Sequence, residues 1–432
     1  MEPEKYLFAH GDDVTAKYHH GMDNGSLRTQ CCIAGGGPAG LVLGYLLARA
    51  GVQVIVIEKH ADFLRDFRGD TIHPSTLTVL DDLGLLEAFL ELPHQEVREL
   101  VGDVYGESVP FADFSHIDAP RPFMVLIPQW DFLDFMADQA RSLPNFSLRM
   151  GAAALGVIEE GGAVVGVNVQ TAEGGFAIHA DLVVAADGRH TTLRESAGLA
   201  STDLGAPIDV LWFSIPRDPA NDHSQTGGSI RPGALLVTLN RGDYWQCAYV
   251  IPKGSLDKLQ ALGIEAFRDR VGEIAPFLAA ATDTLKDWDQ VKLLSVQISR
   301  MPRWWRNGLL CIGDAAHAMS PVGGVGINLA IQDAVAASNL LADALRESRM
   351  TSDDLAAVQA RRDWPARVTQ RVQVAIQNEV LAPVLAGTVA PSTLPLPLRM
   401  LQRLAVLRRL PARLIGIGVR PERVETSPHP LH

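Results

Sequence analysis

The chain has 432 residues, of which 47% are hydrophobic and 20% charged, and its formal net charge is −12. This length accommodates two domains with a shared core, and the composition is ordinary for a globular protein. The negative charge argues against a nucleic-acid partner. No apolar run approaches the roughly eighteen residues that span a bilayer. We expect residues 1–26, which are polar, to be a disordered extension and not a signal peptide.

The first regular pattern is a strand, a turn, a helix and a second strand. Thr29 to Ala34 is a short apolar run, and Leu41 to Ala50 has helical spacing. Val52 to Ile57 then reads as a buried strand that ends at Glu58. A unit of about thirty residues with this order is typical of a crossover βαβ motif.

The turn of this unit has the sequence Gly-Gly-Gly-Pro-Ala-Gly, residues 35–40. Gly35 permits a tight turn, Gly37 lets the backbone approach a pyrophosphate, and Gly40 allows the helix to pack closely on the strand. The helix N-terminus offers N–H groups to a phosphate, and Glu58 can accept hydrogen bonds from a ribose. This context predicts a dinucleotide site. The alternative is a tight turn without a ligand.

Two further buried strands end in an acidic residue beside a glycine. Ala180 to Ala186 is followed by Asp187-Gly188, and Leu309 to Ile312 is followed by Gly313-Asp314. A glycine-rich loop after Pro321 opens a helix predicted from Ile327 to Leu345. Carboxylates at strand ends lie in the crevice where open α/β sheets bind ligands.

Between these landmarks the pattern changes to short alternating strands. The clearest are Val210–Ile215, Leu235–Leu239 and Tyr244–Ile251. They predict an antiparallel sheet that is inserted into the nucleotide-binding domain. From Asp353 onward the pattern is helical, with breaks expected at prolines 391, 395, 397 and 411.

The chain resembles the group A flavin monooxygenases of the para-hydroxybenzoate hydroxylase type. The resemblance rests on the glycine turn at 35–40, on Asp187-Gly188 with the residues through Arg194, and on Gly313-Asp314-Ala315-Ala316-His317. It covers about residues 28–345, and Thr191 stands where the family usually has serine. It implies an α/β fold with a Rossmann-type, GR2-like FAD-binding domain. This domain takes residues 27–96, 126–200 and 290–345; an antiparallel-sheet substrate domain takes 97–125 and 201–289, and a helical segment takes 346–432.

The resemblance further implies noncovalent FAD, with NAD(P)H as a transient co-substrate. Arg68 is expected near the pyrophosphate and the nicotinamide cofactor, while Gln129 and Asp314 bind the ribityl chain. The positive end of the helix near Ile327 would stabilise negative charge on a reduced flavin. The full set of expected cofactor residues is Gly35, Gly37, Pro38, Ala39, Gly40, Glu58, Lys59, Arg68, Gln129, Asp187, Asp314, Pro321, Gly324, Gly326, Ile327 and Asn328. No metal site is expected.

A flavin hydroperoxide, the oxygen donor of this class, needs a dry pocket. Trp212 and Ser214 share one face of their strand, and Trp245 and Tyr249 share a face of another. These residues either contact the substrate or pack in a core. His73 is either near the flavin edge or structural. No side chain is assignable as the catalytic base.

The resemblance therefore predicts a cytoplasmic FAD-dependent monooxygenase. It would use NAD(P)H and dioxygen to hydroxylate or epoxidise an aromatic or polycyclic substrate. A reductase or dehydrogenase of the geranylgeranyl-reductase type is the alternative, and a flavin-binding protein without turnover is a third. The four cysteines are expected to be buried and reduced. The arginines between Leu398 and Val424 belong either to a helix packed on the core or to a membrane-surface helix.

Overall fold

The computed structural model describes residues 26–64, 71–218, 226–387 and 396–430. The predicted N-terminal extension lies outside these residues except for Ser26, which begins the first strand. Arg68 and the prolines 391 and 395 also lie outside them.

The strands of the described residues fall into four sheets. In chain order they are β1 (Ser26–Ala34), β2 (Val54–Glu58), β3 (Thr71–Ile72), β4 (Gln95–Val97), β5 (Glu99–Val104), β6 (Glu107–Asp113), β7 (Met124–Leu126), β8 (Phe146–Met150), β9 (Ala153–Glu160), β10 (Ala163–Thr171), β11 (Gly174–Ala185), β12 (Thr202–Asp203), β13 (Ile208–Pro216), β14 (Gly227–Arg231), β15 (Ala234–Asn240), β16 (Tyr244–Pro252), β17 (Lys292–Leu294), β18 (Ser299–Arg300), β19 (Trp305–Arg306) and β20 (Leu309–Cys311).

The helices cover the faces of these sheets. In chain order the α-helices are α1 (Pro38–Arg49), α2 (Pro74–Asp82), α3 (Leu86–Leu90), α4 (Gln129–Arg141), α5 (Thr192–Ser196), α6 (Leu256–Gln260), α7 (Ile264–Ile274), α8 (Asp314–His317), α9 (Gly326–Arg346), α10 (Ser352–Ile376), α11 (Ala382–Leu385), α12 (Leu396–Arg403) and α13 (Arg409–Gly416). A π-helix spans Gln377–Leu381, and short 3-10 helices span Phe114–His116, Pro276–Thr284, Trp288–Gln290, Val322–Gly324 and Ala405–Arg408.

The larger sheet is built on five parallel strands in the order β20-β11-β1-β2-β8. The strand β2 is buried along its whole length, and β1 is buried over its last four residues, as is typical of central strands in a parallel sheet. The hairpin β9–β10 and the short strand β19 extend this sheet with antiparallel pairs. The Rossmann-type architecture predicted from the sequence is thereby confirmed.

The second large sheet has seven strands in the order β17-β13-β16-β15-β14-β5-β6. It is antiparallel as predicted, apart from a parallel pair between β14 and β5. Its strand β17 pairs with β13, although the sequence analysis assigned residues from 290 onward to the nucleotide-binding domain. A strand of three residues carries too little alternation to be recognised in the sequence.

The long helix α9 packs between α1 and α10 in the main core. Together with the 3-10 turn before it, this is the one helix of the described residues that is long and apolar enough to cross a bilayer. Of its most apolar window, 67% is buried inside the protein, which is typical of a core helix. The four cysteines are also buried and free, as predicted. Burial raises the pKa of each thiol, that of Cys32 to about 12.

Pro411 was expected to break a helix but lies in the first turn of α13, where a missing N–H costs no hydrogen bond. Residues 420–430 then run without helix or strand across the nucleotide-binding domain. Arg423 pairs with Asp82 at the end of α2. Further along, the backbone N–H of His429 donates to the carbonyl of Arg49 at 2.9 Å. This extended tail links helices that are far apart in sequence.

Candidate functional site

Three glycines of the turn between β1 and α1 differ in how closely other atoms surround them. Gly35 has a φ of +108°, and a Cβ there would lie 2.3 Å from the carbonyl oxygen of Ala186. A Cβ on Gly40 would lie 1.9 Å from the carbonyl oxygen of Gly35. A Cβ on Gly37, by contrast, meets nothing within 4 Å. Two glycines therefore serve close packing, while Gly37, followed by Pro38 at the start of α1, leaves open space for a ligand.

Glu58 ends β2 and faces this turn. One carboxylate oxygen accepts the backbone N–H of Gly36 at 2.9 Å, and the other accepts that of His60 at 3.1 Å. The side chain is buried, whereas the neighbouring Lys59 is exposed. Glu58 thus fixes the glycine turn in addition to any contact with a ribose.

The Asp187-Gly188 turn follows β11 and lies beside Gly35. Burial raises the pKa of Asp187, and hydrogen bonds from Thr191 and nearby backbone groups oppose that shift. Its Oδ1 is buried and has no hydrogen-bond partner among the described residues. Arg194 closes this motif, and its guanidinium donates to the carbonyls of Ala315 and Arg189, both at 3.1 Å.

The Gly313-Asp314 turn is held tightly between two helices. Gly313 has a φ of +59°, and a Cβ there would lie 3.1 Å from Cβ of Ala330 on α9 and 3.4 Å from Cβ of Ala39 on α1. Asp314 begins α8, and its side chain is exposed. Close packing below the turn therefore directs a carboxylate away from the core at the C-terminal end of β20.

A buried carboxylate that the sequence analysis did not single out stabilises this turn. Asp333 on α9 is fully buried and accepts the backbone N–H of Gly313 at 3.1 Å. The same side chain accepts Nε2–H of His317 at 2.5 Å and Nε–H of Arg362 at 2.9 Å. Burial alone would raise the pKa of Asp333, but His317 and Arg362 lower it below its usual value. An acid among the apolar residues of a helix was the sequence signal for this site.

Arg362 connects Asp333 to the extended tail. Its Nη1 donates to the carbonyl of Arg420 at 3.1 Å and to Glu422 at 3.3 Å. Glu422 is itself buried and also pairs with Arg361. Acids and bases alternate through this network, so no buried charge lacks an opposite neighbour. The Gly313-Asp314 turn is thereby tied to α10 and to residues 420–422.

The loop from Pro321 to Gly326 leads into α9. Gly324 has a φ of +63°, and a Cβ there would lie 2.6 Å from the Thr71 hydroxyl, which donates to the Gly324 carbonyl at 3.1 Å. No side chain caps the N-terminus of α9. The N–H groups around Gly326 and Ile327 therefore lie at the positive end of a helix of 21 residues.

Asn328 was expected to bind the cofactor, but its side chain has a structural role. Its Oδ1 accepts the backbone N–H of His73 at 2.9 Å and the hydroxyl of Thr76 at 2.7 Å. Its Nδ2 donates to the carbonyl of Thr71 at 3.2 Å. The amide thus ties α9 to the start of α2.

His73 was a candidate substrate residue and is completely buried. Its Nδ1 lies 2.7 Å from the carbonyl of Ile415 on α13, and this geometry requires a proton on Nδ1. Burial lowers the pKa of His73 to about 4, against the effect of the Ile415 hydrogen bond. The imidazole is therefore neutral near pH 7 and joins α2 to α13 through its Nδ1 atom.

The two faces of the seven-stranded sheet have different neighbours. Trp245 and Tyr249 point to the face that packs against α7, where the Tyr249 and Phe267 rings lie 5.4 Å apart. These two residues therefore belong to the core between the sheet and α7. Trp212 points to the opposite face, whose apolar cluster packs against Val322 of the glycine-rich loop. Ser214 shares that side of its strand but is exposed.

The residues present fit FAD. The space above Gly37, the unpartnered Oδ1 of Asp187 and the uncapped N-terminus of α9 each leave a polar group or a cradle for a ligand. Asp314 is an exposed carboxylate that can accept hydroxyl hydrogen bonds. Gln129, the first residue of α4, is half-buried, and α4 packs against α1.

Comparison with known proteins identifies the family. The family described as FAD binding domain matches residues 28–372, most of the chain. The 6-methylpretetramide 4-monooxygenase of Streptomyces rimosus is 33% identical over 403 residues, which cover 92% of this chain and 94% of the relative. The chain therefore belongs to the FAD binding domain family, and within it to the group A flavin-dependent monooxygenases.

Several other relatives are longer than this chain. The 12-dehydrotetracycline 5-monooxygenase/anhydrotetracycline 6-monooxygenase of Streptomyces rimosus is 28% identical over 317 residues, and the match spans 61% of that protein. Among solved structures, the OxyS anhydrotetracycline hydroxylase of the same species has a TM-score of 0.69 at 23% identity, covering 91% of this chain and 77% of that one. PqsL of Pseudomonas aeruginosa in complex with 2-aminobenzoylacetate has a TM-score of 0.72 at 22% identity, covering 84% and 98%. These two structures establish the fold.

Proposed function

We propose that this FAD-dependent monooxygenase hydroxylates a polycyclic aromatic compound, with NAD(P)H as the electron donor and dioxygen as the oxygen source. One observation carries the proposal. The glycine-rich loop before α9 packs, through Val322, against the apolar face of the inserted sheet that contains Val210, Trp212 and Val250. A substrate held between this face and the loop would lie in apolar surroundings, from which water is largely excluded.

When bound, FAD supplies the transfer of electrons from NAD(P)H to dioxygen that makes one oxygen atom available to the substrate. The residues of the chain bind and orient. Asp314 and Gln129 would hold the ribityl chain, and Glu58, Lys59 and the turn with Gly37 would hold the adenosine and pyrophosphate. The N-terminus of α9 would stabilise negative charge beside the loop.

Two observations support a polycyclic aromatic substrate. The relative that this chain matches over 94% of its length is named for 6-methylpretetramide. Two others are named for 12-dehydrotetracycline and anhydrotetracycline, and for protoasukamycin. The apolar face around Trp212 offers an aromatic side chain to stack on a flat ring. We place the enzyme in the cytoplasm, where NAD(P)H is present and the four free cysteines remain reduced.

The test is coupled turnover with a polycyclic phenol and with a single-ring phenol of similar acidity. We expect NAD(P)H oxidation and oxygen uptake to rise several-fold with the polycyclic compound, and labelled dioxygen to add one atom to its product. A rise of the same size with the single-ring phenol would contradict the substrate class. Equal product formation under strict anaerobiosis would contradict the oxygenase proposal and favour the reductase alternative.

A further inference from the structure

The outer side of the C-terminal helices α12 and α13 exposes an unusual number of apolar side chains. We refer to this surface, residues 396–414, as the arginine–leucine face. It holds six of the thirteen large apolar residues that are exposed in the described part of the chain: Leu396, Met400, Leu404, Val406, Leu410 and Leu414. The inner side is packed in the usual way, with Ala412 completely buried. Concentrations of exposed apolar area of this kind mark binding surfaces.

The charge of this face differs from that of the rest of the protein. Residues 380–421 contain six arginines and no acidic residue, while the whole chain has a net charge of −12. Arg399, Arg403, Arg409 and Arg413 are exposed among the apolar side chains. None of these four arginines forms a salt bridge within the described residues. Arg423 of the neighbouring tail, in contrast, is paired with Asp82. The face therefore complements an anionic, partly apolar partner.

A second copy of the chain does not fit this description. A symmetric dimer through the face would place the arginines of one copy against those of the other, because the same patch meets itself across a two-fold axis. No acid lies between residues 380 and 421 to compensate that repulsion. An anionic bilayer offers partners for both kinds of side chain on this face. Its phosphates can bind the arginines, and its apolar layer can take up the leucines.

An apolar cavity adjoins the same helices. Its volume is about 260 Å³, and its walls come from α9, α10, α13 and the loop before α9. Pro411 and Leu414 belong both to the cavity wall and to the segment that carries the face. On the other side, Val322 and Gly323 of the glycine-rich loop line the cavity. The cavity therefore lies between the exposed face and the loop of the candidate site.

We propose that the arginine–leucine face docks the enzyme on an anionic lipid bilayer, and that the cavity beside α13 admits apolar substrate from it. Leucine and methionine side chains enter the interfacial layer, while the arginines bind lipid phosphates. The proposed docking on the bilayer does not depend on the identity of the substrate. The use of the cavity rests on the proposed function, since only an apolar substrate concentrates in the bilayer.

The docking is tested by sedimentation of the full chain with vesicles, in the absence of turnover. We expect binding to phosphatidylglycerol/phosphatidylcholine vesicles, at least tenfold weaker binding to pure phosphatidylcholine, and loss of binding at high salt. Because each basic residue near the surface contributes about fivefold in affinity, the double variant Arg409→Gln/Arg413→Gln should bind about 25-fold more weakly. Absence of binding to the anionic vesicles would overturn the proposal. Binding to soluble polyglutamate but not to vesicles would also overturn it, in favour of an acidic protein partner.

A matched pair of variants tests the apolar part. Leu410 on the face and Leu262 next to α7 are both 69% exposed, so Leu410→Ser and Leu262→Ser remove the same side chain from equally accessible places. We expect Leu410→Ser to weaken vesicle binding several-fold and Leu262→Ser to leave it unchanged, with equal FAD content and circular dichroism in both. Equal losses in the two variants would overturn the proposal.

Turnover measurements test whether substrate enters the enzyme from the bilayer through the cavity. Anionic vesicles should raise kcat/KM for an apolar substrate in the wild-type enzyme but not in the Arg409→Gln/Arg413→Gln variant. Vesicle binding without this rise would refute the role of the cavity and leave the docking intact. If the substrate causes no oxygen uptake either with or without vesicles, the proposed function is contradicted, and the docking is not.

Discussion

The nucleotide-binding crevice and the inserted sheet position their functional groups in different ways. In the crevice, glycines with positive φ and buried carboxylates fix the backbone, as Asp333 does for Gly313 and Glu58 for Gly36. In the inserted sheet, alternate side chains of regular strands point to one of two faces. Ligand binding in the crevice therefore depends on particular residues at particular backbone positions. Ligand binding on the inserted sheet depends on the size and polarity of the side chains that form one face.

The largest expected effect comes from breaking the crevice at Asp333. Asp333→Asn removes the charge that pairs with Arg362 in a fully buried site and weakens the hydrogen bond from His317, and such a loss costs about 3–5 kcal/mol. We expect the free energy of unfolding to fall by that amount in urea titrations, and FAD to bind at least tenfold more weakly by fluorescence. The control is Asp343→Asn on the same helix, because Asp343 is exposed and pairs with Arg346, which contributes less than about 1 kcal/mol. Similar losses in both variants would contradict the role given to Asp333.

A second pair of variants separates packing from ligand space within the glycine turn. Gly40→Ala forces a methyl group against the Gly35 carbonyl, and we expect it to destabilise the apoprotein by about 3 kcal/mol. Gly37→Ala places the same methyl group in open space, so the apoprotein should unfold like the wild type while FAD affinity falls. Thermal unfolding and flavin titration measure the two quantities. An unchanged FAD affinity in Gly37→Ala would remove that position from the cofactor site.

The buried contact between His73 and α13 makes the stability of the protein depend on pH. The pKa of His73 is about 4 in the folded protein and near its ordinary value of about 6.5 in the unfolded chain. The unfolded state therefore binds more protons between these values, and stability falls as the pH drops from about 6.5 to 4. The contribution of His73 to this fall reaches about 3 kcal/mol at pH 4.

His73→Asn tests this contribution, because an asparagine amide can still donate to the Ile415 carbonyl but does not titrate. Urea unfolding across this pH range should show a flatter profile in the variant than in the wild type. The exposed His190→Asn serves as the control and should leave the wild-type profile unchanged. Parallel profiles for His73→Asn and the wild type would refute the assignment.

The smallest effects should distinguish the two faces of the inserted sheet. Trp245→Leu is expected to lower stability by about 2 kcal/mol, because the ring is buried against Phe277, with little change in KM. Trp212→Leu should do the reverse and raise KM about fivefold for a polycyclic substrate, which corresponds to about 1 kcal/mol of ring contact. Calorimetry and steady-state kinetics measure the two quantities. If KM rises with Trp245→Leu instead, the assignment of the faces is wrong.

Much of the nucleotide-binding domain could be predicted from the sequence because its signals are local. The strand predicted at Val52–Ile57 is β2, and the helix predicted at Ile327–Leu345 is α9 with one more residue at each end. In both cases apolar residues, glycines and an acid follow one another within a few positions. The strands of the inserted sheet were also predicted, since β13 extends the run Val210–Ile215 by two residues at its start and one at its end.

The rest depended on contacts between distant parts of the chain. Alternation groups Trp245 with Tyr249 but does not reveal that α7 covers their face. Asp333 was visible as an acid in an apolar helix, yet its partners Arg362 and Gly313 lie on other elements. Likewise, nothing local to His73 indicates that its imidazole bonds to Ile415, 342 residues further along. Such contacts are set by tertiary packing, which periodicity does not encode.

The order of strands in the larger sheet has a consequence for the synthesis of the protein. The first strand, β1, pairs with β11, which in turn pairs with β20 near residue 310. The tail near His429 then closes over the end of α1. Contacts of such long sequence separation slow folding, because the intervening chain must be ordered before they form. The emerging chain therefore leaves an edge of β11 unpaired while some 125 further residues are made, and early chaperone contact should concentrate on that edge.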